Sequence, residues 1–325
     1  MHKSLLMVFL LLLLPWHKGF CADKATIGGI SFAEALAQED PAPSGDFTTL
    51  VVPIKRAGNL IIVEAQVDSV EGNFVLDTGA PYLVLNETYF RDEPHISEKQ
   101  TGGINGEADG TFTTEVHDFN ILDLHYSRLT ADVTDLSAIE NGRGMKILGL
   151  LGTRLFSRLA ITIDLKNNLL YIHKLDSDGN IPADEEVFHN PILTAPILYM
   201  NDILFLNGSI NNKSVLFVFD SGAETNLMDY GISRKILKSM QIINRSELTG
   251  VGGSKFEVLY ARSNNLVIGG QVFANNHFLI TNLKEMGRAY DHDIDGILGC
   301  DFFTRGVFTI NFVKKEFEMY IYNNQ

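Results

Sequence analysis

Apolar residues along this chain fall into short runs and two-residue alternations far more often than into helical stripes. LIIVEAQV (60–67) and ILFLNGSI (203–210) are apolar stretches containing β-branched residues, each followed by a polar turn, so each predicts a strand. TGGINGEADGTF (101–112) and TGVGGSKFEVLY (249–260) set glycines ahead of an apolar alternation, the pattern of a β-hairpin. The triplets Phe74–Leu76 and Phe217–Phe219 predict buried strand ends. Helical spacing is scarce: SRKILKSMQI (233–242) is the best stretch and DLSAIEN (135–141) a short second one. The expected class is all-β.

These elements occur twice. FVLDTGA (74–80) and FVFDSGA (217–223) are offset by 143 positions (220 minus 77), and the same offset superposes 60–67 on 203–210. GLLGTRLFSRLAITI (149–163) matches GILGCDFFTRGVFTI (296–310) without a gap at an offset of 147. A drift that small is a short loop insertion, which chains tolerate easily. Two halves with the same order of landmarks predict two lobes related by an approximate two-fold axis. The lobes are expected at 47–174 and 196–322, joined by a polar linker at 175–195 and preceded by a loose lead-in at 23–46.

The first 22 residues read differently. His2 and Lys3 precede the unbroken apolar run Leu5–Leu14, and Pro15 ends it. That is the layout of a signal peptide, with cleavage expected after Ala22. The run is too short for a bilayer, which takes about 20 apolar residues. Export to the periplasm or the exterior is the expectation. A lipid anchor at Cys21 is the minority reading, because Phe20 fits that processing poorly, and no membrane span is expected.

Composition adds exclusions. The 325 residues are 45% hydrophobic and 20% charged, which argues against disorder and coiled coil. A formal net charge of −14 with no basic stripe argues against nucleic acid. Cysteine occurs only at 21 and 300, so once the leader is cut no internal disulfide can form; Cys300 reads as a small buried residue. No CxxC or HExxH is present. DHDIDG (291–296) starts like a calcium loop but has Phe302 at the twelfth position, so calcium is rejected.

The repeated acids carry the chemistry. A carboxylate placed straight after three apolar strand residues is costly to ionise and tends to hold its proton. Two of them face to face, Asp77 and Asp220, would share one proton over a wide pH range. Taken singly, each would be no more than a turn cap.

With these loops the sequence resembles the pepsin and retropepsin clan of aspartic proteases. Asp77-Thr78-Gly79-Ala80 and Asp220-Ser221-Gly222-Ala223 are similar to the clan's catalytic loops. Leu150-Leu151-Gly152 and Ile297-Leu298-Gly299 are similar to its later apolar-apolar-Gly motif, with Ile147-Leu148-Gly149 a rival in the first half. The resemblance implies a bilobal fold of two retropepsin-like closed β-barrel lobes, and an aspartic endopeptidase in which Asp77 and Asp220 activate one water. It implies that Thr78 and Ser221 lock the two loops together and that Gly79 and Gly222 shape them. It also implies that Gly102, Gly103 and Ile104, and Gly250, Val251, Gly252 and Gly253, belong to flaps over an extended peptide; ordinary hairpin turns are the alternative.

Ala in the fourth loop position is retropepsin-like, and pepsin's disulfides are absent. No metal or organic cofactor is implied. A peptide or unfolded protein is the expected partner, and a monomer the expected state, with pairing of lobes between two molecules as the alternative. A catalytically idle module of the same fold, binding an extended peptide or a protein partner, is the second functional reading.

Overall fold

The computed structural model describes residues 14–15, 40–98, 101–103, 106–108, 111–249, 255–290 and 292–322. It is all-β and bilobal, with short helices between strands. In the first half Thr49–Ala57, Leu60–Val67 and Val70–Leu76 form an antiparallel meander. Gly149–Leu151 then lies parallel to Phe74–Leu76 and antiparallel to Val84–Leu85. The second half repeats this wiring: Leu193–Met200, Ile203–Ile210 and Lys213–Phe219 form the meander, and Gly296–Leu298 runs parallel to Phe217–Phe219. Register is fixed by the alternation of buried and exposed residues, since a slip of one residue would turn each apolar face outward.

A six-stranded sheet joins the halves. Its central strands, Leu159–Asp164 and Val307–Asn311, pair antiparallel with Thr162 opposite Thr309. These two threonines are each other's counterparts in the repeat, and their hydroxyls hydrogen-bond at 2.8 Å. The approximate two-fold axis therefore passes between them. Outward from the centre come Leu169–Lys174 and Glu316–Tyr320, then the first residues of Thr49–Ala57 and of Leu193–Met200. Leu193–Met200 begins inside the stretch read from sequence as linker, because residues 193–196 pair with Glu316–Met319.

The helix expected at 233–242 is shorter, Arg234–Ser239, with the Ser233 hydroxyl accepting from the Lys235 N–H as its cap. From Gln241 the chain is a strand paired with Lys255–Ser263, so sheet hydrogen bonds outcompete the local helical pattern there. The expected 135–141 helix is found at Ser137–Arg143 and ends at Gly144 in the left-handed conformation. Cys300 is buried and accepts a hydrogen bond from Arg56 Nη2 at 3.1 Å. Among the described residues no helix is long and apolar enough to cross a membrane.

His173 is buried on the joining sheet between the hydroxyls of Thr49 at 2.9 Å and Thr162 at 3.1 Å. Burial pushes its pKa down from 6.5 to about 4, because the imidazolium would lose its hydration. A base held neutral in this way stabilises the fold above its ordinary pKa and loses that contribution as pH falls towards about 4. We expect about 3 kcal/mol of stability to disappear over this interval. Urea unfolding of the protein and of His173→Gln should show the slope in the first and not in the second.

Candidate active site

Each strand that delivers an acid is dry to its tip. Phe74, Val75 and Leu76 are buried, as are Phe217, Val218 and Phe219. Phe219 stacks on Phe303 with ring centroids 4.4 Å apart and meets Phe317 at 5.0 Å, which holds the base of the second loop in one place. The later motif then fastens each loop from behind: Asp77 N–H donates to Leu151 O and Asp220 N–H to Leu298 O, both at 3.0 Å. Equivalent bonds in the two halves identify 150–152 and 297–299 as the paired motifs, over the rival 147–149.

Gly152 and Gly299 are required by close approach. A Cβ on Gly152 would lie 2.2 Å from Tyr82 O, and one on Gly299 would lie 2.5 Å from Ala223 O and 2.6 Å from Thr225 O. Those are backbone atoms of the acidic loops, so they cannot step aside without moving the loops. Gly299→Ala is therefore expected to cost about 2 kcal/mol or more, read as a lower thermal midpoint. A midpoint equal to that of the parent would refute the close approach.

The two loops are tied by reciprocal bonds. Thr78 N–H donates to Ser221 Oγ at 3.0 Å, and Ser221 N–H donates to Thr78 Oγ1 at 2.9 Å. Each hydroxyl in turn donates across the interface, Thr78 Oγ1 to Phe219 O and Ser221 Oγ to Leu76 O, both at 2.7 Å. Both residues are buried, so every bond of the lock is shielded from water.

This lock brings Asp77 and Asp220 into contact, both buried. Asp77 Oδ1 accepts from Gly79 N–H at 2.9 Å. Asp220 Oδ1 accepts from Gly222 N–H at 2.8 Å and Ala223 N–H at 3.2 Å. Gly79 packs so near the Asp220 carboxyl that a Cβ there would be 2.6 Å from Cγ. Asp77 Oδ2 has no N–H or O–H donor among the described residues, and its neighbour is the Asp220 carboxyl. Two carboxyls within hydrogen-bonding reach can bond only if one keeps a proton.

Electrostatics agree with that reading. Burial, then the charge of Asp220 and a hydrogen bond with it, raise Asp77 well above the usual carboxylate range; the N–H groups of Gly79 and Ala80 oppose this more weakly. Burial also raises Asp220, against the lowering effects of its bond with Asp77 and of loop N–H groups. One proton shared by the pair is the arrangement that satisfies both.

The glycine segments divide. Gly102 and Gly103 lie in a short hairpin in which Thr101–Gly103 pairs with Gly106–Ala108. Ile104 and Gly250, Val251, Gly252 and Gly253 lie outside the described residues. Antiparallel strands Gln241–Thr249 and Lys255–Ser263 flank the second segment in sequence.

Several residues at the site carry no short motif. Asn226 is buried; its Oδ1 accepts from Gly299 N–H at 2.9 Å and its Nδ2 donates to His277 O at 3.1 Å. Arg143 pairs across the interface with Glu224, whose backbone carbonyl accepts from Asn59 Nδ2 at 3.0 Å. Arg154 meets Asp202 at 3.8 Å and Asp40 at 3.3 Å. The signal that could have flagged Arg143 is the repeat itself, since it stands six residues before Gly149 as Tyr290 stands before Gly296.

Comparison with known proteins gives the fold. Residues 206–302 match a family model described as "Aspartyl protease". No curated protein sequence matches the chain. Among solved structures, an aspartic proteinase from Irpex lacteus superposes with a TM-score of 0.50 at 13% identity, covering 85% of this chain and 98% of that one. Basic 7S globulin from soybean superposes at a TM-score of 0.45 and 10% identity, covering 84% of this chain and 94% of that one. The fold is that of the aspartic proteinases. The match to the family model falls in the half that contains Asp220 and its loop.

Proposed function

We propose that this protein is an exported aspartic endopeptidase that hydrolyses peptide bonds with a water held by Asp77 and Asp220. The observation that carries the reading is the contact of two buried carboxyls, one from each half, locked by symmetric hydrogen bonds. Two acids buried against each other cost stability, and a module that only binds has no use for them.

The chemistry follows from one shared proton. The ionised carboxyl takes a proton from the water as its oxygen bonds to the peptide carbonyl carbon. The protonated carboxyl gives its proton to the carbonyl oxygen, so no acyl-enzyme forms. The carboxyl that took the water's proton then gives it to the amide nitrogen, the other carboxyl takes a proton from the gem-diol, the C–N bond breaks, and acid and amine leave with the pair again holding one proton. Which carboxyl acts first belongs to the pair's joint titration. Loops carrying both acids are held rigid, so orientation is set before substrate arrives.

The leader at residues 1–22 supports export to the periplasm or exterior as part of this proposal, and one chain supplying both loops supports an active monomer. Incubating the protein with an unfolded polypeptide from acidic to neutral pH, with Asp220→Asn alongside, tests the reading. Cleavage by the parent alone is expected; equal cleavage by both would remove the dyad mechanism, and none by either would remove the enzyme.

A further inference from the structure

Tyr290 follows the helix Lys284–Ala289, and its carbonyl accepts from Asn201 Nδ2 at 3.2 Å. The side chain is 2% exposed, and its ring meets Phe205 edge-on with centroids 6.2 Å apart. It belongs to an apolar cluster with Val218, Leu227 and Ile297. Val218 lies two positions before Asp220 in the strand that delivers it, and Ile297 precedes Leu298, whose carbonyl fastens Asp220, so the cluster packs against the base of the second acidic loop. The Tyr290 hydroxyl has no hydrogen-bond partner among the described residues. Burial, followed by the negative charge of Asp220 and then of Asp77, holds its proton on well beyond the usual phenol range.

A buried hydroxyl without a partner costs about 1–3 kcal/mol, which a phenylalanine would avoid in this apolar setting. The counterpart position sharpens the point. Arg143 occupies the equivalent place in the first half, at the end of the Ser137–Arg143 helix, and crosses the interface to Glu224. One half thus ends this element in a cation that pairs with Glu224 through Nη2, the other in a neutral hydroxyl with no partner among the described residues.

We propose that the Tyr290 hydroxyl is a third polar group of the cleavage site, donating a hydrogen bond to the backbone of the peptide seated on the Asp77–Asp220 pair. This rests on the endopeptidase reading. Tyr290→Phe should lower kcat/KM by about tenfold or more, the worth of a hydrogen bond to substrate, with the thermal midpoint unchanged or raised. A packing role would instead lower the midpoint and spare kcat/KM.

A peptide with a hydroxyethylene group in place of its scissile bond supplies a second readout. Its affinity should fall with Tyr290→Phe, and the 13Cζ resonance of Tyr290 should move when it binds to the parent. If the parent cleaves while Tyr290→Phe matches it in kcat/KM and the resonance stays still, this proposal fails alone. If the parent neither cleaves nor binds the isostere peptide, the endopeptidase reading fails and takes the proposal with it.

Discussion

Asp77→Asn is expected to reduce peptide cleavage by about 10³-fold or more while the protein stays folded. Asn has nearly the volume of Asp and can still accept from Gly79 N–H, so the loop keeps its geometry. It cannot exchange a proton with Asp220, so the pair loses both its base and its acid function at once. The comparison also tests the sharing of the proton independently of activity. Asp77 holds its proton more tightly folded than unfolded. Its contribution to stability is therefore fully present below the unfolded carboxylate pKa and is lost as pH rises through the folded value. Asp77→Asn lacks that loss, so urea midpoints should shift in favour of the variant from acidic to neutral pH. Midpoints that stay parallel across the range would show that the two carboxyls do not share a proton.

The second large effect concerns the lock. Thr78→Ala removes the hydroxyl that donates to Phe219 O and accepts from Ser221 N–H. Two buried backbone groups are left without partners, at about 1–3 kcal/mol each. A fall in the thermal midpoint of about 3–9 °C is expected for a chain of this size, and cleavage should weaken with it because the carboxyls are no longer held in register. Thr78→Ser keeps the hydroxyl and should restore most of both. Ser221→Ala should behave like Thr78→Ala, and the double variant should cost less than the two losses added together, since they break one network. Additive losses would mean that the hydroxyls act independently and that the lock is not a unit.

Much of this was legible in the residues. Short apolar runs and glycine turns specified an all-β chain, and the repeat of FVLDTGA as FVFDSGA specified two equivalent halves, each with an acid at a buried strand end. Period-two burial is a local property, so the strands could be read locally. The helical pattern at 233–242 runs past the observed helix, because the partner that draws residues from Gln241 into a sheet, Lys255–Ser263, lies further along the chain. The Lys284–Ala289 helix has no matching signal in the sequence: it spans six residues with Gly287 inside it, and packing rather than propensity holds it.

What the amino-acid order settled by itself, then, was the kind of strand, the duplication and the identity of the two acids. Only the tertiary structure decided that those acids meet, that burial raises the proton affinity of both, and that Arg143 has an ion-pair partner while the Tyr290 hydroxyl has none among the described residues. The physical reason is that proton affinity and hydrogen-bond satisfaction depend on desolvation and on atoms far away in the chain. Asp220 owes its environment to Gly79 and Asp77, residues from the other half that no local pattern connects to it.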